Sequence, residues 1–200
     1  MKKLLLLFAA LLLMGCHFNN EYNPKDNSAS KEVINTGDNN TLVAYFSVTN
    51  HTKGIANEIR DYLDSDIFEI VPTQEYTSED INYNNDCRAN REQNDDKARP
   101  EIKNKIEDIS KYDTIALGYP IWWAEAPKIM YTFIESYDFT NKNILPFCTS
   151  GSSPIGNSAI NLARSAPKAN WLEGKRFSAN APKEEINSWL DNYFNKEEGR

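Results

Sequence analysis

Three short stretches carry side chains whose types and spacing suit ligand chemistry. The first, Ser47-Val48-Thr49-Asn50-His51-Thr52, sets hydroxyls in a Ser-x-Thr-x-x-Thr pattern between an apolar run and an amphipathic one. Side-chain hydroxyls, backbone N–H groups and the positive end of a helix converge at such a turn, and a phosphate suits it. A P-loop and a dinucleotide fingerprint both need spaced glycines, and the first glycine after this turn is Gly54, already inside the helical pattern. The plainer alternative is an ordinary N-cap turn of serine and threonine.

The second stretch, Tyr119-Pro120-Ile121-Trp122-Trp123-Ala124-Glu125, places paired tryptophans just after an apolar strand pattern. Tryptophan is costly to expose, so a flat aromatic ligand would give these rings something to cover. Covering one indole face removes ~100 Å² of apolar surface from water, worth roughly 2–3 kcal/mol. A helix terminus adds only about 0.3–1 kcal/mol at an exposed phosphate. Stacking should therefore dominate affinity, unless both rings simply pack the helix at 126–135. The third stretch, Thr149-Ser150-Gly151-Ser152-Ser153-Pro154-Ile155-Gly156, is short-side-chained throughout, which lets backbone approach a ligand edge closely. Linkers have similar composition.

Other chemistries find little here. The two histidines are His17 and His51, and a Ser-His-Asp or Cys-His arrangement would have to take His51 from the first loop. No acid stands out for paired-carboxylate work. There is no CxxC or Cys/His cluster, so no zinc or iron–sulfur site is expected. No catalytic side chain is assigned.

The elements that must position these loops alternate. Leu42 to Phe46 is an unbroken apolar run, as in a strand buried on both faces of a parallel sheet. A helix follows with Ile55, Ala56, Ile59, Tyr62 and Leu63 on one stripe. Ile67 to Val71 is a second strand. Tyr76 to Arg99 is a long polar loop, read either as a solvated, self-paired surface or as cover for one side of a pocket. Pro100 opens a predicted helix with Ile102, Ile106 and Ile109 at helical spacing. Asp113 to Tyr119 is a central strand, and a helix from Ala126-Pro127 buries Ile129, Met130, Phe133 and Ile134. Ile144 to Cys148 is a fourth strand in which Pro146 demands a bulge. A weak helix (Asn157 to Arg164), a polar edge strand (Trp171 to Phe177) and a firm last helix through Ile186, Trp189 and Leu190 complete the domain. This βα alternation points to a parallel sheet with helices on both faces, and the three loops leave carboxyl ends of strands at one rim.

In order and approximate spacing, FSVTNHTKGIA, GYPIWWAEAP and PFCTSGSSPIGNS resemble the flavodoxin-like flavoproteins. ARPEIKNKI and WLEGKRF look like a bacterial branch of that family. The usual phosphate loop has Gly-Asn where this chain has Asn50-His51; asparagine tolerates left-handed backbone and can stand at the glycine position. The resemblance implies an α/β fold, a doubly wound five-stranded parallel sheet of order 2-1-3-4-5 with helices on both faces, over residues 41–195. It implies FMN as cofactor. Ser47, Thr49, Asn50, His51 and Thr52 would hold the phosphate. Pro120, Ile121, Trp122 and Trp123, with Thr149, Ser150 and Gly151, would flank the ring, and Gly156 would help close the site. The function implied is electron transfer or a small quinone-type reductase, its partner a redox protein or quinone-like substrate. The alternative is a surface-anchored binding module without turnover.

Residues 1–15, MKKLLLLFAALLLMG, read as a signal peptide, and Leu-Met-Gly-Cys resembles the lipobox of bacterial lipoproteins, with Cys16 as the lipidated terminus. An ordinary signal peptide followed by a chance cysteine is the plainer reading. Residues 16–40 form a polar, asparagine-rich tether. The expectation is an exported, cell-envelope protein touching membrane only through its lipid. Net charge is −7, and −9 once Lys2 and Lys3 leave with the signal, which argues against nucleic acid as a partner. With no cation in the phosphate loop, this balance would lower the potential of a bound flavin. An exported protein could pair Cys87 and Cys148, but their spacing gives no sign that they meet, and the expectation is a free, buried Cys148 and a free Cys87 in a loop.

Overall fold

The computed structural model describes residues 40–194; the signal, the Cys16 lipobox and nearly all of the tether lie outside the described residues. The strands are β1 (Thr41–Tyr45), β2 (Asp66–Glu69), β3 (Thr114–Pro120), β4 (Asn143–Thr149), β5 (Asn170–Trp171) and β6 (Lys175–Phe177). The helices are α1 (His51–Leu63), α2 (Arg88–Gln93), α3 (Lys128–Glu135), α4 (Ser158–Ala163) and α5 (Lys183–Leu190). All strand pairs in this sheet are parallel, in the order β2-β1-β3-β4-β5, with β6 also on β4.

Period-2 alternation splits the core in two. Leu42, Ala44, Phe46, Ile115, Leu117 and Tyr119 face α3 and α4. Val43, Tyr45, Ala116, Leu145 and Phe147 face α1 and α5, whose Ile55, Ile59, Ile186, Trp189 and Leu190 complete that layer. Gly118 lets the Phe147 ring lie across the sheet, since a Cβ there would sit 2.2 Å from ring carbon.

β5 and β6 are two halves of the expected fifth strand. Trp171 registers with Ile144 but Lys175 registers with Phe147, so the edge carries one extra residue. Pro146 is the cause. Ile144 O accepts the Leu172 N–H on the edge side, whereas Thr149 O accepts the Ile121 N–H on the β3 side. Alternation therefore aims the missing Pro146 N–H at the edge, and the ladder breaks there.

Two expectations need correcting. Residues 100–106 are not helical. Thr73 N–H donates to Glu101 O and Lys103 N–H to Val71 O, while Asn104 Nδ2 donates to Glu69 O, so the segment runs antiparallel beside the chain leaving β2. Ile102, Ile106 and Ile109 still pack on the core, and a 3₁₀ turn covers Ile109–Lys111. Their spacing correctly marked burial, but the backbone partners lay far along the chain. The loop at 76–99, in turn, contains α2, with Cys87 as its N-cap accepting the Asn90 N–H. Both cysteines are free and both are buried.

Candidate functional site

Where β1 ends, the chain turns through Ser47 to Asn50 into α1. Asn50 has φ 63°, the left-handed backbone that the sequence assigned to it, and makes no side-chain cap. The first helical bond is Gly54 N–H to Asn50 O at 3.0 Å. From Ser47 to Lys53, no backbone N–H donates to a protein acceptor among the described residues. Thr52 is only 1 % exposed, and buried N–H groups are nearly always paired. A left-handed residue followed by a run of unbonded N–H groups at a helix start is an anion-binding concavity. Lys53, the nearest cation in the chain, is held by Glu69 at 2.9 Å. His51 is exposed, its Nδ1 3.3 Å from Thr49 Oγ1.

The three loops meet. Thr52 Oγ1 lies 2.8 Å from Thr149 Oγ1 in a buried hydroxyl pair, joining the first loop to the third. Ile121 N–H donates to Thr149 O at 2.9 Å, joining the second to the third, and Pro120 registers with Thr149 at the strand ends. Trp122 and Glu125 exchange N–H···O bonds of 2.9 Å around Trp123 (φ 47°) and Ala124 (φ 64°). Two left-handed central residues make a type I′ turn, which costs an L-residue roughly 1–2 kcal/mol each. Asn161 Nδ2 on α4 donates to Glu125 Oε1 at 2.6 Å and ties this turn to the helix below.

The tryptophans separate. Trp122 is 6 % exposed, packed edge-on to Phe46 (5.5 Å) and Tyr76 (5.2 Å), so its ring belongs to the core. Trp123 stays half-buried at the rim, stacked on Tyr83 at 4.3 Å. In the third loop Gly151 is exposed, and a Cβ there would meet nothing within 4 Å; Gly156 has φ 54°. Below it Tyr119 Oη and Ser158 Oγ are 3.0 Å apart and fully buried, and burial pushes the phenol far above its ordinary range. Burial likewise pushes the Cys148 thiol up to about 12. A separate cleft of about 490 Å³, lined by residues including Asp64, Ser65, Asp66 and Tyr112, opens near the amino ends of β1 and β2, away from these loops.

The family model for flavodoxin matches residues 40–193. The chain belongs to the flavodoxin family. A candidate flavoprotein from Bacteroides eggerthii is 45 % identical with a TM-score of 0.71, covering 76 % of this chain and 95 % of its own. Another from Bacteroides uniformis is 40 % identical with a TM-score of 0.73, covering 76 % and 97 %. A Lactobacillus acidophilus flavoprotein, solved in complex with FMN, shares the fold at 22 % identity and a TM-score of 0.56, over 75 % and 97 %. Among proteins of curated function, no relative matches.

Three residues of this flavodoxin domain escaped the sequence reading. Gln93, on α2, donates from Nε2 to Trp122 O (3.1 Å) and Ala126 O (3.2 Å) and accepts the Lys128 N–H at Oε1. Tyr83, 57 % exposed, donates to Ile121 O at 3.2 Å while stacking on Trp123. The long polar loop is therefore a buttress for the second loop. Arg176, on β6, donates to Ser150 Oγ (3.1 Å), Ser150 O (2.6 Å) and Gly151 O (2.7 Å). An aromatic within a polar loop and a cation on an edge strand were the available signals for Tyr83 and Arg176; Gln93 left none.

Proposed function

We propose that this flavodoxin binds FMN at the carboxyl ends of β1, β3 and β4 and serves as a redox protein held at a membrane surface by lipid on Cys16. The observation that carries the reading is the run of unbonded N–H groups from Ser47 to Lys53 around left-handed Asn50. Those groups, with the hydroxyls of Ser47, Thr49 and Thr52 and the His51 ring, would hold a phosphate without a cation. Trp123 would stack on the ring from the rim, with Pro120, Ile121 and Trp122 contributing backbone beside it. Thr149, Ser150 and Gly151 would approach the ring edge, and Gly156 would turn the chain away. The FMN complex of the Lactobacillus acidophilus flavoprotein, on the same fold, supports this choice of ligand.

Bound FMN supplies reversible one- and two-electron chemistry. The chain's part is positional. The Thr52–Thr149 pair fixes the phosphate loop against the ring loop, and the Gln93 bonds hold the strained turn that presents Trp123. An electron carrier needs nothing further from the protein, whereas a reductase needs open space over one ring face for a quinone-like substrate.

Absorbance spectra of protein lacking residues 1–16, before and after addition of FMN, test the cofactor. A flavin spectrum shifted from that of free FMN, saturating at one equivalent, is expected; a colourless protein that stays so after desalting would overturn it. Steady-state assays with nicotinamide cofactors and quinones separate reductase from carrier. Cell fractionation of a Cys16→Ala variant tests the anchor, which should move from the membrane to the soluble fraction.

A further inference from the structure

Arg176 is the charge that the flanking loops lack. Of the other described arginines, Arg60, Arg88, Arg91 and Arg99 each meet a carboxylate, and Arg164 is exposed at the end of α4. Among the described residues Arg176 meets none, and it donates instead to loop oxygens of Ser150 and Gly151. Those bonds use the Nε and Nη2 hydrogens; the Nη1 pair donates to no protein acceptor among the described residues. Arg176 is half-buried as a residue, so water screens its charge less than it would on an open surface. It acts inward as well, opposing the rise of the buried Cys148 thiol. A fork-shaped cation bound only to neutral oxygens, with donors to spare, is suited to a neighbouring anionic group.

We infer that Arg176 is a positioning residue that clamps the third loop and places a fixed positive charge beside the cofactor ring, favouring its reduced, anionic form over the oxidised, neutral one. This rests on the FMN reading above. A ligand that gains negative charge on reduction binds more tightly near a fixed cation, and linkage makes that difference a rise in potential. The charge carries this effect, and the hydrogen-bond fork carries loop order.

The test measures the midpoint potential and oxidised-FMN affinity of wild type, Arg176→Gln and Arg176→Lys. In the Gln variant the ratio of reduced to oxidised affinity should fall at least about tenfold, about 30 mV lower for a two-electron couple. The Lys variant, keeping charge and losing the fork, should hold the potential within half of that shift while binding oxidised FMN more weakly. A folded Gln variant that loses FMN while Lys retains it also supports the inference. An unmoved potential in Gln, a Lys potential as low as that of Gln, or loss of FMN or fold in both variants overturns it and leaves Arg176 a structural residue. A wild type that binds no FMN removes both proposals, and that result appears before any variant is made.

Discussion

Trp122 and Trp123 are chain neighbours with different surroundings, and substitution should separate them. Trp122 is enclosed by Phe46 and Tyr76, so Trp122→Ala opens a cavity and should cost about 3–5 kcal/mol in urea unfolding of the apoprotein. Trp123 leaves a ring at the rim, so Trp123→Ala should move that stability by less than about 1 kcal/mol yet weaken FMN at least tenfold, about 1.4 kcal/mol. Equal unfolding costs would show that the core assignment is wrong. Composition placed both rings at the strand mouth; it could not tell them apart, because Tyr76, which with Phe46 encloses Trp122, lies far back in a polar segment. Asn50 was legible for the opposite reason: its conformation is a local backbone property. Cys148 gives a prediction in pH. Burial holds its proton in the native state up to about 12, against an ordinary value of 9.0. The native state thus binds more protons than the unfolded chain between those values, and stability falls as pH rises through that window. A Cys148→Ala variant should lose less between pH 8 and pH 10.5 than wild type, read from urea midpoints.

Among the elements, the edge strand shows how a single residue sets local architecture. Pro146 removes the one N–H that the edge could have used, so β5 and β6 part around Leu172, Glu173 and Gly174. Gly174 fills the gap closely: an added Cβ would stand 2.6 Å from Ile155 Cδ1 and 2.8 Å from both Pro146 Cγ and Pro146 O. The carbonyl cannot swing aside, so Gly174→Ala should cost about 1–3 kcal/mol. It should also weaken FMN, because Ile155 belongs to the third loop. Gly54→Ala is the control. Its Cβ meets nothing within 4 Å, and the change should add about 0.5–1 kcal/mol by favouring helix. A Gly174 variant as stable as wild type would mean that the edge is looser than this packing implies. The conflict at Pro146 was visible in the sequence, as was the succession of strands along the chain, because unbroken apolar runs are local; their order across the sheet came from the family resemblance. The segment at 100–106 was not, because its partners at 69–73 compete with helix only once β2 is in place.

At the scale of the whole molecule, two fields act on a cofactor at this rim. The formal balance is −7 for the full chain and would be −9 without Lys2 and Lys3, and from the sequence alone that balance sets a potential below that of free FMN. Arg176 opposes it from within hydrogen-bonding reach of the third loop. Distance decides how the two compare. A unit charge ~5 Å away at an effective dielectric of about 20 interacts by about 3 kcal/mol, whereas one ~15 Å away through water contributes about 0.3 kcal/mol. Several distant acids can therefore rival one near cation at low salt. Salt screens them unequally, since the Debye length falls from about 30 Å at 0.01 M to about 3 Å at 1 M. The midpoint potential should accordingly rise as salt is added, while the gap between wild type and Arg176→Gln stays nearly constant. Spectroelectrochemical titration from 0.01 to 0.5 M salt reads both quantities. A potential indifferent to salt would remove the surface acids from the account, and a gap that closes with salt would place Arg176 too far from the ring to act as a neighbour.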